Sequence, residues 1–475
     1  MATITASGIG SGLDVNSIIT QLMAVEKRPL TILQNAATDL TTQVSAVGKL
    51  QGFTSALRDA ASKLTSVTLW NQTKATTGDA TAVGVVTDGG AATGSFAVNV
   101  SRLATAQTVT SRAFSSKTDN VGAGTLTIEL GTWTGNAAPD DFTAKSGSTA
   151  LTLNLTAEDS SLESIRDKIN AAGNGVVATI VNDASGSRLS LRSSETGAEN
   201  AFRVTATEET DDGVDSTGLS ALAYSVGASG GMTRYQTAQN AQATINGIPI
   251  ESASNQLTDV VDGVTMTLLK TTTSEVQVEV DNDDDAVKTA VTNFTKAFND
   301  LAGYIREQTK YDAQTKKGGT LQGDRTALGL QSQLRGVLNN ESTASSVFST
   351  LADVGISIKS DGTLAVDDTK LAAGLAKRSE LKKLFAADGT TSAASGFMDR
   401  FKDLAAQLLD DGGSIDLRME SLEAMQARNQ KQQDQMQSRL DQTEKRLRKQ
   451  YEALDSNMAK MSSLSAYISQ QLGTG

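Results

Sequence analysis

Four stretches of this 475-residue chain carry residue types spaced for chemistry. Asp281-Asn-Asp283-Asp284-Asp285 puts acids at alternate positions, as at the start of an EF-hand calcium loop. That loop needs Gly at its sixth position and a bidentate Glu at its twelfth, and the chain has Ala286 and Thr292 there. The acids are better read as caps and charge complements for a helix over 286–310, whose first N–H groups attract negative charge. Gly8-Ile-Gly10-Ser-Gly12 imitates a phosphate-binding loop, but no strand precedes it and the G-x-G-x-x-G spacing is incomplete. Ser379-Glu-Leu-Lys382 has the S-x-x-K spacing of serine acyl enzymes without their K-T-G companion. Among Lys377, Arg378, Lys382 and Lys383 it reads as a solvated helix face. Glu444-Lys-Arg446-Leu-Arg448-Lys449 is a basic cluster without aromatics between its charges, the flank of a coiled coil rather than a nucleic-acid site.

The missing residue types narrow the chemistry further. The chain has no cysteine and no histidine. It therefore has no disulfide framework, no thiolate nucleophile and no side chain that titrates near neutrality. Acid–base work is left to carboxylates, Lys and Tyr. With 42 basic and 54 acidic side chains the formal net charge is −12, which argues against nucleic acid. No run approaches the roughly 18 apolar residues of a membrane span, and the first residues lack the basic start and apolar core of a secretory signal. The expectation is a soluble protein that is no enzyme, holds no cofactor or metal, and inserts in no membrane. Any export would use a route that reads no cleaved signal. Only Pro29, Pro139 and Pro249 occur. Few slow X–Pro isomerisations would suit a chain threaded unfolded through a channel; long helices would exclude proline equally well.

The elements read as helix at both ends and strand between. Asp14 caps a short helix with Val15, Ile18, Ile19 and Leu22 on one face. Pro29 opens a second helix, with Leu33, Ala37, Leu40, Val44 and Val47 in four-three steps. Its phase slips at Gly48 and Gly52, read as a flexible junction, and resumes with Phe53, Leu57, Ala61 and Leu64. At the other end a coiled-coil seam runs from Ile415 through Met419, Leu422, Gln426, Asn429, Gln433, Met436 and Leu440 to Leu454. Three consecutive polar seam positions weaken it. Met458, Met461, Leu464, Tyr467, Ile468 and Leu472 then continue an apolar stripe.

Residues 94–100 and 276–280 alternate as strands, and Asn246-Gly247 marks a tight hairpin. Short strands at 125–130, 150–155, 176–182 and 188–192, with a helix over 162–171, suggest an inserted β-rich domain with a mobile loop at Glu208–Gly218. Val287, Val291, Phe294, Phe298, Leu301 and Ile305 restore helical spacing, followed by helices at 330–338 and 397–408 and a hairpin from Gly355 to beyond Asp361-Gly362. A faint likeness between the segments starting at Leu162 and Leu257 hints at two related β modules.

The expected fold class is α+β multidomain, with a helical terminal coiled coil, a helical-bundle leg and nested antiparallel β-rich head domains. The boundaries are 1–47 for an N-terminal stem, 48–75 and 275–414 for the leg, 76–115 and 237–274 for an inner head, 116–236 for an outer head, and 415–475 for the C-terminal stem.

Ser11-Gly-Leu-Asp-Val-Asn-Ser-Ile-Ile-Thr-Gln-Leu-Met-Ala-Val-Glu-Lys-Arg-Pro-Leu30 resembles the opening motif of the flagellar filament cap family (hook-associated protein two, FliD). So do Phe96–Gln107, Leu321-Gln-Gly-Asp324, Leu351–Ser357 with Asp361–Leu364, Leu447–Met458 and Tyr467–Leu472, in family order. The 116–236 region resembles the family's hook-IN type head. Ala459–Ser465 is poorer in aromatics and Met than the family's closing motif. The resemblance implies a homopentamer or homohexamer ring at the distal tip of the bacterial flagellum, secreted by the flagellar type III export apparatus with a cytoplasmic export chaperone. Flagellin and the hook–filament junction protein are the implied partners, and incoming flagellin would fold and polymerise beneath a plate of heads. Leu13, Ile18, Ile19, Leu22, Leu464, Tyr467, Ile468 and Leu472 are the candidates for the filament or protomer interface. The alternative for each is self-packing of the terminal helices within one protomer. A tip adhesin binding host glycans or matrix through its head is a different functional reading. A filament or junction subunit is another, and would form long homopolymers rather than a closed ring.

Overall fold

The computed structural model describes residues 14–135 and 141–473. Among them the chain forms helices α1 (Val15–Glu26), α2 (Arg28–Thr65), α3 (Val67–Trp70), α4 (Leu162–Ala172) and α5 (Asp284–Thr309). These are followed by α6 (Arg325–Asn339), α7 (Asp368–Leu375), α8 (Arg378–Ala386), α9 (Phe397–Leu409) and α10 (Ser414–Leu472). None of them is long and apolar enough to cross a membrane. The fold is α+β and divides into two compact units: residues up to Trp70 with those from Asp284 onward, and Asn71–Asp283.

The first unit is helical, and the four-three spacing read in α5 is its central seam. Val287, Val291, Phe294, Phe298, Leu301 and Ile305 are all buried, sharing a core with Leu50, Leu57 and Leu64 of α2 and Phe397 and Phe401 of α9. The Phe401 ring centroid lies 5.2 Å from that of Phe294 and 6.0 Å from that of Phe298. Arg378 holds the base of the bundle, donating to Asp284 Oδ1 at 2.6 Å and to the Trp70 carbonyl at 3.0 Å. Arg400 is buried, and among the described residues no carboxylate pairs with it; the carbonyls of Ser395, Asn340, Glu341 and Ala393 accept its hydrogen bonds.

The glycine junction expected in α2 does not exist. The helix runs unbroken for 38 residues through Gly48 and Gly52. Each glycine costs about 1 kcal/mol against alanine, while burying Val47 or Leu50 contributes about 1.5–3 kcal/mol each, so tertiary packing overrides propensity. The hairpin at Gly355 is present as strands Ile356–Ile358 and Leu364–Val366.

The second unit is built of antiparallel sheet. One core lies among a five-stranded sheet (in order Thr73–Thr77, Val276–Asn282, Gly94–Arg102, Ala241–Ile245, Ile248–Ser252) and a three-stranded sheet. The Asn246-Gly247 turn forms as read, with φ of 50° and 78°, the left-handed pair that a two-residue hairpin demands. A separate core brings together two four-stranded sheets and α4, whose Leu162, Ile165 and Ile169 are fully buried. It includes Val109 and Phe114, ahead of residue 116. The likeness between the Leu162 and Leu257 segments is not structural: the first is α4, the second a hairpin of strands Gln256–Val261 and Val264–Leu268. Gly263 at φ 71° makes that turn, and α4 has no such residue in its interior.

Candidate functional site

The candidate surface is built where α1 and the first half of α2 lie along α10. Asp14 caps α1, its Oδ1 accepting from the Ser17 amide at 3.0 Å, and Pro29 stands in the first turn of α2. Both starts agree with the sequence reading. Val15, Ile19 and Met23 then form the buried face of α1, packing with Leu440 and against Leu30, Met436, Leu447 and Tyr451. Arg448 fastens the pair, ion-paired to Glu444 at 2.9 Å and donating to Asn16 Oδ1 at 3.4 Å.

A polar layer separates this cluster from the main bundle core. Gln426 donates to Thr41 Oγ1 at 3.2 Å, and Gln433 donates to Asn429 Oδ1 at 2.6 Å. Asn429 is only 7% exposed. Below the layer Leu422, Met419 and Ile415 join the bundle core; above it lie Met436 and Leu440. The apolar contacts of the stem are thus interrupted where the seam is polar.

The candidate interface residues divide three ways. Ile19 is buried within the protomer at 3% exposure, following the self-packing alternative, and Ile18 is half-buried. Leu22 is 41% exposed, because the helix turns Met23 inward in its place. Leu464, Tyr467 and Ile468 are exposed on α10, together with Leu454, Met458 and Met461, so the stripe has no partner among the described residues. Leu13 lies outside the described residues, and Leu472 closes α10. The groove between α2 and α10 beside Pro29 and Ile32 had no signal in the seam pattern; the proline flanked by apolar residues at i+3 and i+4 was the available clue.

The catalytic and metal motifs are absorbed structurally. Asp281 belongs to a strand and Asp284 and Asp285 to the first turn of α5, so the acid run forms no single loop. Ser379 sits in the first turn of α8, where the neighbouring Glu380 accepts from Lys383 at 2.7 Å, Ser345 at 2.8 Å and the Ser346 amide at 2.8 Å. The Lys383 bond, reinforced by those from Ser345 and Ser346, holds the Glu380 pKa down at about 2. Glu208, Asp211 and Asp212 are the described acids that converge closely enough to consider for a cation. Their oxygens instead accept from the amides of Ser220, Gly213 and Val214, which shapes the 208–220 loop.

Comparison with known proteins matches this architecture along its length. Residues 11–107 fit the family described as flagellar hook-associated protein 2 N-terminus, and residues 238–463 fit its C-terminus. Flagellar hook-associated protein 2 of Escherichia coli K12 is 33% identical over 99% of this chain and 98% of its own length. The chain belongs to the flagellar hook-associated protein 2 family. Residues 141–195 match the flagellin hook IN motif, in agreement with the hook-IN likeness of the head. The Xenorhabdus nematophila family member is 30% identical over 99% of this chain and 100% of its own. The crystal structure of the E. coli flagellar cap protein FliD, domains D1-D2-D3, superposes with a TM-score of 0.61 at 31% identity, covering 80% of this chain and 99% of that one.

Proposed function

We propose that this chain is the structural cap at the distal end of the bacterial flagellar filament, retaining exported flagellin and promoting its folding and polymerisation beneath the cap. The observation that carries this reading is the near full-length relation to hook-associated protein 2, joined to the likeness with the flagellar cap protein of E. coli. The exposed stripe from Leu454 to Ile468 supports it, since an unpartnered apolar helix face of this length is an assembly surface rather than a solvated one. Chemistry is not its task, and the relatives' names give no support to the adhesin alternative.

In this reading the working form is a ring of five or six copies outside the cell, with flagellin and the hook–filament junction protein as partners, delivered by the type III export apparatus and a cytoplasmic chaperone. A ring needs a heterologous contact whose rotation closes. Ile18, Leu22, Leu464, Tyr467 and Ile468, with Leu13 and Leu472 at the two ends, are assigned to the filament or protomer contact, and Ile19 supports them from beneath. Stem, leg, inner head and outer head follow the order read from the sequence, with the leg taking in residues up to Trp70 and from Asp284, and the outer head beginning ahead of residue 116.

Gold-labelled antibody against the chain, applied to intact flagellated cells, tests the placement. Label at the free filament ends is expected. Label spread along filaments, or confined to cell bodies, contradicts it.

A further inference from the structure

The stem carries an apolar groove that its own chain leaves open. Where α2 begins, Pro29, Ile32 and Leu33 face Gln435, Met436 and Arg439 of α10 across a groove of about 500 Å³. Ile32 is 68% exposed. Pro29, Ile32, Leu33 and Ala36 follow i, i+3, i+4, i+7 spacing, so they form one ridge of α2. Leu33 and Met436 are half-buried and make its floor, while Arg439 stands exposed at its edge.

The charge around the groove runs against that of the molecule. Along the α10 side of the groove, Arg428–Arg439 carries three basic and one acidic side chain, a net +2 in a chain of net −12. Lys27 and Arg28 add two cations at the start of α2, beside Glu26. Arg439, Lys431, Lys27 and Arg28 form no ion pair with a described residue. Arg448, by contrast, is paired with Glu444, and Asp434 takes a hydrogen bond from Gln430. The groove is therefore apolar at its floor with Arg439 at its edge, and the charge beside it is net positive although Asp434 stands next to Lys431 and Arg439.

We propose that this groove docks an amphipathic helix of a second protein whose apolar ridge is flanked by carboxylates. An apolar ridge at i, i+3, i+4, i+7 fills the cleft between two helices, and flanking Asp or Glu would meet Arg439, Lys431 and Arg28. Such a rim sets partner choice and association rate more than affinity. The site exists only once α2 and α10 have paired, so it reads the folded stem and not the unfolded chain in transit. This inference does not rest on the cap reading.

The test uses the full chain and two synthetic helical peptides of about five turns, ~18 residues. Both carry Leu at i, i+3, i+4, i+7, one flanked by Glu and the other by Lys. Fluorescence anisotropy should show the Glu-flanked peptide binding, more weakly as salt rises. Ile32→Ser and Arg439→Glu should each weaken it at least tenfold, with the circular dichroism unchanged because both side chains are exposed. Equal binding of the Lys-flanked peptide, no binding of either, or full binding by both variants would overturn the proposal. So would a loss of self-association in Ile32→Ser, seen by sedimentation without peptide binding, which would make a second copy the occupant.

Discussion

Asp324 and Arg418 tie the start of α6 to the base of α10. One oxygen of the Asp324 carboxylate accepts from the amides of Thr326 and Ala327, at 2.9 and 3.1 Å, and the other accepts from Arg418 Nε at 2.8 Å. The Asp324 side chain is 6% exposed and that of Arg418 27%. The carboxylate thus serves as helix cap and as ion-pair partner at once.

Asp324→Ala is expected to destabilise the helical unit by about 2–4 kcal/mol, the sum of a lost cap and a lost charged hydrogen bond. Arg418→Met should cost less, about 1–2 kcal/mol, because Asp324 keeps both amide donors. The two tryptophans make the measurement clean: Trp70 reports on this unit and Trp133 on the sheet unit. Urea unfolding in a Trp133→Phe background therefore reads Trp70 alone. Equal losses in the two variants would contradict the division of roles.

The polar layer sets a second expectation. Replacing Gln426, Asn429 and Gln433 together by Leu joins the two apolar clusters of the stem into one seam. Amide exchange over Val15–Glu26 should slow at least tenfold, about 1.4 kcal/mol, measured by hydrogen-exchange mass spectrometry. Exchange unchanged from the parent chain would mean that the layer does not limit stem opening.

Gly52 offers a third. A Cβ there meets nothing within 4 Å, and the position lies inside continuous helix. Gly52→Ala should raise the stability of the helical unit by about 0.5–1 kcal/mol, read as a shifted urea midpoint of Trp70 fluorescence. A lower midpoint would show that the helix needs glycine at this point.

Glu380 makes stability depend on pH in a defined window. Its pKa is lowered from 4.5 to about 2, first by Lys383 and then by Ser345 and the Ser346 amide. A depressed folded pKa means that its stabilisation is complete above about pH 4.5 and disappears as the pH falls through about 2. The gap in unfolding midpoint between the parent chain and Glu380→Gln should hold constant through neutral pH, shrink below about 4.5 and close near 2. A gap that persists undiminished at the acid end would contradict the assignment.

Local chemistry was legible wherever one residue type decides the backbone. Asp14 and Pro29 marked helix starts, Asn246-Gly247 marked its hairpin, and the α5 seam was readable from spacing alone. Tertiary packing decided the rest. Gly48 and Gly52 stay helical because the surrounding core holds them. Met23 rather than Leu22 turns inward because α1 is positioned by Leu440 and Met436, far away in sequence. The short α7 was missed, with only Leu371, Gly374 and Leu375 on its buried face to announce it. The exposed end of α10 was readable as a stripe from Leu454 to Ile468. Ile19 shows a limit: its apolar type fits both an intermolecular contact and the intramolecular one it makes.

The central claim is that this chain caps the growing filament, and flagellin partitioning tests it most directly. In a strain lacking the chain, flagellin released to the medium as monomer would be quantified against flagellin in filaments on cells. The account predicts short or absent filaments with monomer accumulating outside, and filaments restored when the purified chain is added. Normal filaments without the chain, or monomer shedding that the added chain does not reverse, would contradict it.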